Sequence, residues 1–204
     1  MKNLLFIIAM VCACSASTFA QNLGFTFSRG ASGVYPNHYT FSKSHSQGVS
    51  IGLTHAAEVK HALNLRTGLN LSALASTRSI TLRNHQVIMV PDMYYFLDVP
   101  VVLEHTINLD GSYQHDDSKP CLQLLGGINA GFLWNDKKGR ELSEVAMRTS
   151  PVNVGCTFGA QYSMPQSSNS TFAIGPMIKF MGTGNQHSKY VGFYSLQIDW
   201  RFNY

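Results

Sequence analysis

The sequence predicts an all-β protein, an eight-stranded antiparallel up-and-down transmembrane barrel. Three observations carry that expectation. Alternation of apolar and polar residues with a period of two recurs eight times along the chain, and eight is the smallest even strand count of single-chain bacterial barrels. No segment beyond the first twenty residues approaches the roughly 18–20 apolar residues that a membrane helix needs, so any span must be made of strands. With 13% charged residues, 11% aromatics and 17 glycines, the composition is that of a single all-β domain.

Residues 1–20 read as a signal peptide, and 21–204 as the barrel domain. Lys2 supplies the positive start, Leu4 to Val11 the apolar stretch, and Thr18-Phe19-Ala20 a small-x-small cleavage site before Gln21. A rival reading takes Val11-Cys12-Ala13-Cys14 as a lipoprotein box with Cys14 lipidated. The net charge of +4 is mildly basic and dispersed, which gives no reason to expect a nucleic-acid partner.

The strands follow in order. The first covers about 23–28, with Leu23, Phe25 and Phe27 on one face. The second covers about 48–59, where Val49, Ile51 and Leu53 oppose Gly48, Ser50, Gly52, Thr54 and Glu58. The third covers 63–75, with Leu63, Leu65, Leu69 and Leu71 against Asn64, Arg66, Gly68, Asn70 and Ser72. The fourth covers about 93–107, with Tyr95, Leu97, Val99, Val101 and Leu103 opposite Asp98 and Glu104.

The fifth covers 121–134, where Leu122, Leu124, Ile128, Ala130, Phe132 and Trp134 oppose Gln123, Gly127, Asn129 and Gly131. The sixth covers 152–164, with Val152, Val154, Phe158 and Tyr162 against Asn153, Gly155, Thr157, Gly159 and Gln161. The seventh covers 171–181, with Phe172, Ile174, Ile178 and Phe180 against Thr171, Ala173, Gly175 and Lys179. The eighth is a closing ladder of Tyr194, Leu196, Ile198, Trp200, Phe202 and Tyr204, separated by Ser195, Gln197, Asp199, Arg201 and Asn203. With the N-terminus in the periplasm, the outer links at about 29–47, 76–92, 135–151 and 182–189 exceed the inner ones at 60–62 and 165–170, as in membrane barrels. The inner link at 108–120 is longer than that rule expects.

Alternation alone does not say which face is inside. A soluble lipocalin-like barrel puts its apolar face inward and a membrane barrel inverts it. The polar face here is rich in glycine, small amides and hydroxyls, which suit a tight lumen. It also carries charges of both signs, Glu58, Asp98, Glu104 and Asp199 against Arg66, Lys179 and Arg201. An unpaired buried charge costs several kcal/mol, so near-balanced signs point to a salt-bridged plug. The apolar face places aromatics near strand ends, as interfacial girdles require. Parity puts Cys121 on the lumen face and Cys156 on the lipid face, so no disulfide is expected.

Phe96-Leu97-Asp98-Val99-Pro100-Val101-Val102-Leu103 and Arg66-Thr67-Gly68-Leu69-Asn70 resemble two strand motifs of the PorT-like family of Bacteroidota outer-membrane barrels, and the layout is similar over the whole chain after residue 20. The sequence departs from the family in having Asp98 for a glutamate and Leu71 for an aromatic. The resemblance implies an eight-stranded outer-membrane barrel with no known cofactor.

Pro100 lacks a backbone donor, so a bulge is expected there, which makes Val102 and Glu104 the least secure inward assignments. The closing ladder, ending on an aromatic, matches the signal that barrel-assembly machinery reads, so Tyr194, Leu196, Ile198, Trp200, Phe202 and Tyr204 form the expected assembly signal.

The remaining motifs favour bland readings. Gly48, Ser50 and Gly52 spell the pattern of a hydrolase nucleophile elbow, but no helix follows as the elbow requires. His38, Ser42, Ser44 and His45 in the first outer link offer enzyme candidates only if folding brings a base to a nucleophile. His115-Asp116-Asp117 is a weak divalent site. Residues 135–148 are dense in charge and fit a short helix at 141–148, with Lys137, Lys138 and Arg140 as a positive rim for lipopolysaccharide phosphates.

The expectation is therefore a non-enzymatic barrel in the cell outer membrane, reached after export. It acts as a structural, docking or adhesion element through its outer loops. Its partners are membrane lipid, lipopolysaccharide, the assembly machinery and an unidentified envelope protein. The alternatives are an outer-membrane enzyme with its site on the outer loops, or a soluble periplasmic ligand-binding barrel.

Overall fold

A computed structural model describes residues 22–36, 46–81, 87–110, 119–135, 152–182 and 188–203. The expected signal peptide, Cys14, Tyr204 and most of the outer-link residues singled out above, including His38, His45, Lys138 and Arg140, lie outside them, as do 115–117.

Eight strands form one closed antiparallel barrel in sequence order. They are β1 (Asn22–Pro36), β2 (Ser46–Lys60), β3 (Leu63–Thr81), β4 (Val87–Asn108), β5 (Cys121–Asn135), β6 (Val152–Ser167), β7 (Ser170–Gly182) and β8 (Ser188–Asn203). Closure is made by β8 on β1, in unbroken register from Asn22↔Asn203 to Tyr35↔Tyr190. Closing the sheet removes both edges, leaving no row of unpaired backbone groups to desolvate in hydrocarbon.

Each expected strand is present, and several run further than their alternation. β1 continues to Pro36, β3 to Thr81, and β4 starts at Val87. These extensions lie at the end of the barrel that carries the links 37–45, 82–86, 136–151 and 183–187, here termed the loop end. In β1 and β3 the added segments are mostly polar and small, and in β4 Val87-Ile88-Met89-Val90 is a continuous apolar run, so neither alternates. At the opposite, turn end, β2–β3 and β6–β7 are joined by tight turns at 61–62 and 168–169.

Pro100 does not make the expected bulge. The β4–β5 register runs unbroken through Pro100↔Asn129. Pairing with β3 lapses between Thr67↔Val101 and Asn70↔Asp98 and resumes in the same register. The missing N–H therefore falls on the β3 side and omits a rung without inserting a residue, so parity is kept. Val102 and Glu104 are buried inward.

The exterior is apolar on every strand. Phe25, Ile51, Leu69, Leu103, Ile128, Val154, Phe158 and Leu196 all point away from the lumen and are exposed, Ile128 to 60% and Val154 to 65%. The residues alternating with them are buried, among them Thr26, Ser50, Ser72, Asn129, Gln161 and Asp199. A continuous apolar belt exceeds by far the few hundred Å² that soluble monomers expose. Such a surface is solvated by lipid, and the polar interior excludes the lipocalin arrangement, which needs an apolar one.

At the turn end, Phe25, Trp200 and Phe202 cluster across the β1–β8 seam. Trp200 and Phe202 are stacked with ring centres 5.9 Å apart, and Phe25 meets Phe202 edge-on at 6.4 Å. This is the geometry of an interfacial aromatic girdle, and it also locks the closing pair of strands.

Candidate functional site

The lumen is filled in layers. Nearest the turn end, β8 presents Gln197, Asp199 and Arg201 inward at period two, while β3 supplies Arg66 and β4 supplies Glu104. Arg201 grips Glu104 with two parallel bonds, Nη1 to Oε1 and Nη2 to Oε2, each 2.7 Å. Arg66 Nη1 lies 2.7 Å from Asp199 Oδ2 and 3.9 Å from Glu104 Oε2. Arg201 Nη2 lies 3.7 Å from the same Asp199 oxygen. Gln197 Nε2 donates to both Asp199 oxygens, at 3.0 and 3.2 Å. Two guanidiniums and two carboxylates thus form a closed, neutral knot that ties β8 to the opposite wall.

A second charged layer lies closer to the loop end. Lys179 on β7 reaches across to Asp98 on β4 and also donates to Ser72 Oγ at 3.4 Å. Ser72 in turn donates to Ser50 Oγ at 2.9 Å. Asp98, Glu104 and Asp199 have no solvent exposure, so each carboxylate is fully desolvated and depends on its cation. Across both layers the described lumen charges balance, three cations against three anions.

Of the residues assigned to a lumen charge network, Arg66, Asp98, Glu104, Lys179, Asp199 and Arg201 are therefore placed in two linked groups. Glu58 is not among them. It still pairs in register with Asn64, but it sits exposed at the turn-end rim, beyond the buried part of the lumen. The expected assembly-signal residues fall on the outward face of β8: Tyr194, Leu196 and Trp200 are exposed, and Ile198 and Phe202 half-buried.

Toward the loop end the lumen becomes apolar. Leu74, Tyr94, Phe96, Met181, Val191 and Phe193 form one buried cluster, with Phe96 wholly inaccessible. Gly48 makes room for it, since a Cβ there would lie 2.5 Å from Leu74 Cδ2 and 2.8 Å from Phe193 Cε2. A smaller cluster of Val102, Leu125 and Met177 lies lower. Sequence reasoning missed this plug, although parity carried it: Leu74 shares a face with Arg66 and Ser72, Tyr94 and Phe96 with Asp98, and Val191 and Phe193 with Asp199. Apolar identity concealed their direction.

Between the knot and the plug lies a cavity of about 40 Å³, bordered by hydroxyls, amides, Arg66 and Lys179 and by the apolar side chains of Val102, Leu125, Met177 and Phe193. Cys121 is buried in the lumen wall and Cys156 half-buried, and neither forms a disulfide. Among the described residues, no group of three His, Cys, Asp or Glu side chains is placed to hold a metal.

No family model and no curated protein matches the chain. Among solved structures it is similar to Neisserial surface protein A, with a TM-score of 0.56 at 12% identity over 90% of this chain and 97% of that one. It is also similar to the outer membrane protein OprG from Pseudomonas aeruginosa, with a TM-score of 0.53 at 8% identity over 91% and 96%. The outer membrane enzyme PagL aligns with a TM-score of 0.49 at 12% identity over 86% and 97%. At these identities the likeness is one of fold: the closed eight-stranded barrel.

Proposed function

We propose that the chain is an integral outer-membrane β-barrel of the PorT-like family, inserted after signal-peptide export, and that it serves without enzymatic activity as a docking or adhesion element through its outer loops. The observation that carries this reading is the inversion of the barrel: an apolar belt outside, and inside a lumen whose ionisable groups are bound to one another. The lumen charges are committed to holding the walls together, which leaves the ends of the barrel to meet partners. The two-residue turns at 61–62 and 168–169 fit a periplasmic end, although the third link there, 109–120, is longer than three of the four at the loop end. Lys137, Lys138 and Arg140 are then available to lipopolysaccharide phosphates. The barrel-assembly machinery would read the outward face of β8.

Orientation and compartment are testable together. In a Cys121→Ser, Cys156→Ser background, a cysteine at Lys138 and another at Asn169 are exposed in turn to a membrane-impermeant maleimide on intact cells. The Lys138→Cys protein is expected to label on intact cells, and Asn169→Cys only after the outer membrane is opened. The reverse pattern, or recovery of the protein in the soluble periplasmic fraction, would overturn the proposal. The enzyme alternative requires that His38→Ala or His45→Ala abolish a measurable activity in a barrel that still folds.

A further inference from the structure

The apolar belt carries one charge. Arg29 is exposed on the outward face of β1, following Leu23, Phe25 and Phe27 on that face. Among the described residues no other Lys, Arg, Asp or Glu points outward between the two rims. Its cross-strand neighbours are apolar, Val49 on β2 and Leu196 on β8. Asp98, Glu104 and Asp199 all lie inside the wall, so the sheet offers Arg29 no anion. Its bond runs instead from Nη2 to Gln47 Oε1, at 3.4 Å.

Register sets its depth. Leu23 lies beside Phe202 of the turn-end girdle, and Arg29 follows it along β1 by six residues. Strands in such barrels advance about 3.3 Å per residue at a tilt of about 40°, so Arg29 stands roughly 15 Å above Leu23, within a belt about 25 Å tall. A charge at that depth is costly unless it reaches polar surroundings or a counter-ion. Gln47 lies loopward of Val49, beside Ala31. The bond to it therefore draws the guanidinium toward the loop end, as a long basic side chain snorkels out of hydrocarbon.

The pair is a donor site. A guanidinium has five N–H donors and no acceptor. Gln47 commits its carbonyl oxygen to Arg29, which turns its own NH2 outward, and Gln47 is itself exposed. The complement of such a pair is an anion with several acceptor oxygens at the edge of the hydrocarbon. A second copy packed belt to belt does not supply one: the described outward faces hold no carboxylate, and a two-fold contact there sets Arg29 against Arg29. A lipid phosphate does. We infer that Arg29 and Gln47 form a lipid-phosphate site, in which the guanidinium holds a phosphate of lipid A in the outer leaflet by charge-assisted bonds. The acyl chains lie along the exposed surface of Phe27, Ile51 and Leu196. This rests on the outer-membrane reading with the loop end outside, and the site is separate from Lys137, Lys138 and Arg140.

Native mass spectrometry of the detergent-refolded protein tests it, in a Lys137→Gln, Lys138→Gln, Arg140→Gln background that removes those other cations. The protein is titrated with bisphosphorylated lipid A and, separately, with the dephosphorylated glycolipid. One retained lipid A per barrel is expected. Retention should fall about tenfold or more on dephosphorylation or in Arg29→Gln, and be largely kept in Arg29→Lys. No retained lipid A, equal retention by Arg29→Gln, or binding indifferent to phosphate would overturn the inference. So would a dimer in the lipid-free spectrum that is lost in Arg29→Gln, which would assign the arginine to a second copy. Gel mobility with and without boiling separates the two levels of failure. A background protein whose mobility does not change on boiling overturns the outer-membrane reading and this site with it, whereas a heat-modifiable barrel with unchanged lipid retention overturns the site alone. Should Arg29→Gln fail to fold, Gln47→Leu is the second variant, with retention expected to fall about threefold.

Discussion

At the scale of single residues, the charges inside the barrel decide most. Glu104 accepts two bonds from Arg201 and lies near Arg66 in a site closed to solvent. Removing one partner leaves an uncompensated buried charge, which costs about 3–5 kcal/mol. Arg201→Met is therefore expected to lower unfolding free energy in detergent or vesicles by about that amount, measured by urea titration of tryptophan fluorescence. Replacing Arg201 and Glu104 together by apolar residues should recover most of the loss. Gly131→Ala is expected to destabilise for a steric reason, because its Cβ would lie 2.8 Å from Asp98 Cβ and 2.9 Å from the Leu97 carbonyl oxygen.

Six of the seven charges read from the sequence as lumenal are there because parity, once fixed by exposed leucines and phenylalanines, carries along each strand. Glu58 keeps the register of its strand, paired with Asn64, but stands exposed at the rim, where inward parity no longer means burial. The apolar plug was hidden for the opposite reason: Leu74, Phe96 and Phe193 obey the parity but not the polarity of the lumen face.

At the scale of elements, the β2–β3 turn is one of two joints only two residues long. Ala62 adopts φ 61°, a left-handed conformation that costs an L-residue with a Cβ roughly 1–2 kcal/mol. The turn is held there because Ala62 O accepts from Thr106 N at 2.9 Å, coupling it to β4. Ala62→Gly removes the strain and keeps that bond, so an unfolding free energy higher by about 1 kcal/mol is expected, read in the same urea titration. A decrease would mean that the turn gains more from the rigidity of alanine in the unfolded chain than it loses to strain. The turn was legible as a short link; its handedness was not, since alanine gives no signal for positive φ. Pro100 was legible as an interruption of hydrogen bonding, yet its consequence depends on which neighbour loses the donor, a property of the closed sheet rather than of the strand.

At the scale of the whole molecule, eight alternating strands dictated the barrel, and the glycine-rich polar face dictated which side faces in. The boundaries at the loop end were not legible, because the segments 76–81 and 87–92 carry no apolar-polar alternation. The inverted barrel makes a further demand on its belt. Ile128, exposed and central in β5, faces hydrocarbon, so Ile128→Arg is expected to cost about 2–4 kcal/mol in a bilayer if it lies near the midplane. The same change on a water-solvated barrel would be near neutral, and unfolding from lipid vesicles measures the difference.

The central claim is that this chain is a folded membrane barrel with lipid on its apolar face. Gel mobility of the detergent-extracted membrane fraction, run with and without boiling, tests it most directly. A band whose migration changes on boiling, absent from the soluble fraction, is the result expected of a closed barrel that resists detergent until heated. Identical mobility before and after boiling, together with recovery in the soluble fraction without detergent, would contradict it.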